Sequence, residues 1–92
     1  MYENQKLINA HRQILVARKL DLVVKKYDNA MIKLKFIRFL ATHEEQLFQK
    51  HQELLTVLQH RSEVAIQKNG LHVQAKYQLK LQLLQQEALL LG

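Results

Sequence analysis

The chain has no cysteine and no proline among its 92 residues, and only two glycines, Gly70 and Gly92. Without cysteine there are no disulfides and no thiolate metal ligands. Without proline and with so little glycine, the strongest breakers of regular structure are missing, and the expectation is a few long helices with very short connections. No apolar run exceeds four residues, the length of Ala88–Leu91. A membrane span requires roughly 20, so the sequence argues against a membrane protein. The stretch MYENQKLINAHR has no signal-peptide core. A small secreted domain usually needs covalent staples, so a cytoplasmic protein is expected.

Residues for chemistry are equally scarce. Ser62 is the only serine. The five histidines, His11, His43, His51, His60 and His72, form no pair at a helical spacing of three or four. His43-Glu44 opens like a zinc-protease helix, but position 47 is leucine where the second histidine would stand. His51 falls in a row with Leu47, Leu54 and Leu58 and is expected to pack there. No glycine-rich phosphate loop is present. The reading is no enzyme, no catalytic residue, no metal and no cofactor.

What the chain does have is helix-forming residues and an uneven charge. The net charge is +6. Residues 1–41 hold nine Lys/Arg against three Asp/Glu, while residues 42–92 hold five against five. All of the excess lies in the first half, which points to an anionic partner there.

A first helix is expected over 3–41, with a weak turn signal at Asp28-Asn29. Thr42 followed by Glu45 matches a capping box and suggests a helix starting near His43. Lys68-Asn69-Gly70 reads as a helix stop with left-handed-tolerant residues, leaving helices over 43–68 and 71–91. Strict apolar–polar alternation over 71–83 is a strand signature, repeated briefly at 32–36. Leu, Gln, Lys and Ala favour helix there instead, and Val73, Tyr77, Leu81, Leu84, Ala88 and Leu91 recur at spacings of three and four. The fold class is therefore all-α: an elongated helical hairpin or three-helix bundle with coiled-coil-like packing in one domain. The short turn at Asn69-Gly70 implies antiparallel packing of the last two helices.

In the first helix, Leu20, Val23, Val24, Tyr27, Met31 and Leu34 form a core stripe, which Leu7, Ala10, Ile14 and Ala17 are expected to continue. A second apolar row, Ile8, Leu15 and Leu22, recurs every seven residues. His11, Arg18 and Lys25 flank one edge of it, and Arg12, Lys19 and Lys26 the other. A greasy seam between basic edges suits docking into an apolar groove with acidic rims. The alternative occupant of that row is another helix of the same chain. The leucines at 79–91 cannot share one narrow stripe, which favours a complex or a homo-oligomer. The expected role is thus a non-enzymatic assembly, adaptor or inhibitor-type protein. A helical nucleic-acid-binding accessory protein is the competing reading, with Lys33, Lys35 and Arg38 near Tyr27, Phe36 and Phe39. Only four of the fourteen basic residues are arginine, and no known DNA- or RNA-binding motif accompanies them.

Overall fold

A computed structural model describes residues 2–92. It holds four helices: α1 (Tyr2–His43), α2 (Glu45–Lys50), α3 (Gln52–Lys68) and α4 (Leu71–Leu91). No strand occurs among the described residues. The fold is all-α, and the alternating segments 32–36 and 71–83 are helical. Their residue types decide this, since few β-branched side chains are present to favour a pleated backbone.

α1 runs without a break through Asp28-Asn29 for 42 residues. The capping-box reading of Thr42 does not hold. Its hydroxyl donates backward to the Arg38 carbonyl at 2.9 Å and to that of Phe39 at 3.3 Å. The following segment is broken twice, at Glu44 and at His51. At both breaks the backbone N–H still reaches a carbonyl one turn back: Glu44 to Leu40 at 2.9 Å and His51 to Leu47 at 3.2 Å.

The described chain divides into two compact units, Met1–Val24 with Leu71–Gly92, and Lys25–Gly70. In the first, α4 lies antiparallel to the start of α1. Leu91 shares a cleft with Gln5 and Ile8, while Lys80 shares one with Leu15 and Lys19. In the second, α3 runs antiparallel to the end of α1. Asn69 lies by Lys26, and Gln59 and Phe48 by Leu34 and Ala41. Residues 43–68 and 71–91, expected to pair with each other, belong to different units. The turn between them contains no left-handed residue, neither Asn69 nor Gly70 having positive φ. Asn69 (φ −119°, ψ 22°) instead folds its side-chain amide back on the Ala65 carbonyl at 2.8 Å.

Burial follows a seven-residue repeat in every long helix. In α1 the rows are Asn9, Val16, Val23, Ala30, Ile37 and Gln13, Leu20, Tyr27, Leu34, all buried or half-buried. Phe48, Leu55, Ser62, Asn69 and Leu58, Ala65 answer them in the second unit. Gln74, Leu81, Ala88 and Tyr77, Leu84, Leu91 do so in the first. This is the seam spacing of coiled coils. The seam is thin: among the described residues only Val16, Ala30, Ile37 and Leu55 are fully buried apolar side chains, beside buried Asn9, Ser62 and Gln74.

Three sequence expectations change in consequence. Leu7, Ala10, Ile14 and Ala17 are exposed, and Asn9, Gln13 and Val16 carry the seam through that stretch. His51 is exposed at the break before α3. Leu47 and Leu54 of its row are exposed too, because the inward places fall one position over, at half-buried Phe48 and buried Leu55.

Candidate functional site

The first unit turns a polar stretch of α1 inward and an apolar stretch outward. Inside, Asn9 is 1% exposed. Its side-chain amide donates to the Leu84 carbonyl at 2.8 Å and to Glu87 Oε1 at 3.1 Å, and its Oδ1 accepts from Gln13 Nε2 at 2.6 Å. A fully bonded polar residue in a coiled-coil seam fixes register, at some cost in stability. Once Asn9 and Gln13 are fixed inward, the helical period sends Ile8 and Leu15 outward.

Ile8, Leu15 and Leu22 are 51%, 41% and 56% exposed. Leu15 lies beside Val16 and, from α4, Leu84, in a cleft of about 360 Å³ edged by Arg12, Lys19 and Lys80. Ile8 continues this surface beside Arg12, Glu87 and Leu91 in a second cleft of similar size. The two clefts share Arg12. They form an apolar trough along the α1–α4 junction with cations on both walls and one carboxylate, Glu87, toward its far end.

The sequence-derived residues divide as follows. Ile8, Arg12, Leu15 and Lys19 come together at the trough, and Leu22 and Arg18 extend the same exposed region of α1. Lys25 and Lys26 fall in the second unit. Lys25 is already engaged within the fold, and Lys26 lines a different groove. Sequence reasoning missed Lys80, Leu84 and Leu91, the α4 contribution. Only the pairing of α4 with the start of α1 reveals them, although Leu84 and Leu91 were legible as core-facing.

In the second unit Lys33, Lys35 and Arg38 are exposed, with Phe36 and Phe39 between them at 57% and 51%. The Phe39 ring stacks on His43, centroids 4.8 Å apart. Among the described residues, no three of His, Asp and Glu gather as metal ligands. No described helix is long and apolar enough to cross a membrane.

Comparison with protein-family models, with curated proteins and with solved structures finds no match for this chain. The functional reading therefore rests on the geometry alone.

Proposed function

We propose that this is a non-enzymatic, cytoplasmic protein-interaction module that takes up an amphipathic helix with acidic flanks in the α1–α4 trough. The observation that carries the reading is the exposure of Ile8, Leu15 and Leu22 in a folded unit whose own seam is already closed by Asn9, Val16 and Leu84. Contiguous apolar surface of this kind, rimmed by polar groups, marks interaction sites. Burial of the exposed Ile8, Leu15 and Leu22 row supplies affinity, at about 25 cal/mol per Å² of apolar area. Arg12, Lys19 and Lys80 set orientation and encounter rate. A second copy of the chain is a poorer occupant by charge, because like-signed rims would meet.

The double variant Leu15→Ala/Leu22→Ala tests this. Complex formation, followed by sedimentation, should be lost while circular dichroism stays helical. Undiminished assembly in that variant refutes the proposal.

A second reading, nucleic-acid binding through the other unit, is supported by the two exposed phenylalanines interleaved with Lys33, Lys35 and Arg38. Bases stack on such rings and phosphates pair with such cations. Affinity for a generic oligonucleotide should then fall by orders of magnitude from low to moderate salt. No binding at low salt removes that reading.

A further inference from the structure

A groove of about 290 Å³ lies wholly within the second unit, between α1 and α3. Lys26, Asn29 and Lys33 line it from α1, and Arg61 and Ser62 from α3. No Asp or Glu lines it. Three cations around one recess repel one another, and nothing in the lining neutralises them. The groove is independent of the α1–α4 trough, since none of Ile8, Leu15 and Leu22 lines it.

Ser62 makes the recess more than a basic surface. It is 3% exposed, and because no side-chain polar atom sealed from solvent lacks a partner among the described residues, its hydroxyl, which makes no hydrogen bond within the fold, is open to the groove. The other mid-helix and terminal hydroxyls behave differently. Thr56 donates to the Gln52 carbonyl at 2.8 Å and Thr42 to that of Arg38 at 2.9 Å, the usual backward bond of such residues. Ser62 sits in the groove wall, where its hydroxyl can exchange water for a ligand oxygen. Ala30, 3% exposed on the facing helix, leaves room because its side chain is a single methyl group.

We infer that this groove binds the phosphate groups of a small polyphosphorylated molecule. Arg61 offers the planar two-pronged donor that matches phosphate oxygens. Lys26 and Lys33, seven residues apart on one helix, stand roughly 10.5 Å apart along the axis at about 1.5 Å rise per residue. That span suits two linked phosphates better than one. The Ser62 hydroxyl and the Asn29 amide donate neutral hydrogen bonds from the wall. A recess with a hydroxyl donor in its wall selects a ligand that enters it, whereas a nucleic-acid backbone follows an open track.

The test is titration of the full chain with pyrophosphate at constant ionic strength, read by amide chemical shifts and by calorimetry. Saturable shifts at Asn29, Arg61 and Ser62, absent with chloride, are expected. Arg61→Gln and Ser62→Ala should each weaken binding about tenfold or more, the range of one lost bond to a charged group. Lys76→Gln, an exposed cation of the other unit, and Leu15→Ala/Leu22→Ala should leave binding unchanged. Ser62→Ala removes only an oxygen, so it decides the matter should Arg61→Gln lose helicity. The inference is overturned by absent shifts at these residues, by equal weakening in Lys76→Gln, or by binding of an oligonucleotide when pyrophosphate gives none.

Discussion

The side-chain amide of Asn9 donates to the backbone carbonyl of Leu84 at 2.8 Å, joining residues 75 apart in sequence. The same amide reaches Glu87, and Gln13 closes the set on Asn9 Oδ1. Truncation by Asn9→Ala leaves Gln13 without its acceptor and a hole in the seam. It should cost about 1–3 kcal/mol in chemical denaturation. Asn9→Leu should behave in the opposite way. It also leaves Gln13 without its acceptor, but it fills the seam, and a polar seam residue holds register at a cost in stability, so its loss frees stability and register together. Equal or higher stability, with several α1–α4 registers detected by pairwise cysteine cross-linking, is the expected result. A single register in Asn9→Leu would show that Asn9 does not set it.

How far the seam was legible in the sequence depends on the stretch. Val73, Tyr77, Leu81, Leu84, Ala88 and Leu91 were readable as one face and are all half-buried. So are Leu20, Val23, Val24, Tyr27, Met31 and Leu34. Before Leu20 the hydrophobic pattern misleads, because the inward positions are Asn9 and Gln13 and the outward ones Leu7, Ile8, Ile14 and Leu15. Hydrophobicity cannot show a core row made of amides. The seven-residue step can: counting back from Ile37 through Ala30, Val23 and Val16 lands on Asn9. The polar residues follow the fixed period there, and the leucines and isoleucines depart from it. Of the trough, α1's half was visible in the sequence, while Lys80 of α4 needed the tertiary pairing.

The buried and exposed apolar residues should separate cleanly by stability. Ile37 and Leu55 are 5% and 6% exposed, and truncation to alanine should cost about 2 kcal/mol or more each. Leu22, 56% exposed, should change stability by no more than about 0.5 kcal/mol when truncated. Urea unfolding of the three variants checks this. A loss at Leu22 equal to that at Leu55 would mean that Leu22 is covered within the folded chain, and the docking proposal would lose its basis.

Thr42 separates two readings of one motif. As a helix cap its replacement by alanine would cost about 1 kcal/mol. The hydroxyl instead bonds back to the Arg38 carbonyl inside α1, an arrangement that slightly weakens helices, and alanine is the best helix former. Thr42→Ala should therefore be neutral or stabilising by a few tenths of a kcal/mol. Thermal unfolding with a clear drop in Tm would restore the capping role and argue for a different junction between α1 and α2.

The trough also predicts how its two kinds of residue divide the kinetics of association. Arg12, Lys19 and Lys80 edge the cleft but remain in contact with water. Their field acts at a distance and is screened over about 8 Å at physiological salt. Lys19→Glu should therefore slow association with an acidic-flanked partner and flatten its salt dependence, with little change in dissociation. Leu15 acts only on contact, through area removed from water, so Leu15→Ala should speed dissociation and leave association nearly unchanged. Stopped-flow association across a salt series, with dissociation measured by competition, resolves the two. The reverse pattern would place the charges inside the contact and the leucine outside it, which is incompatible with docking along this seam.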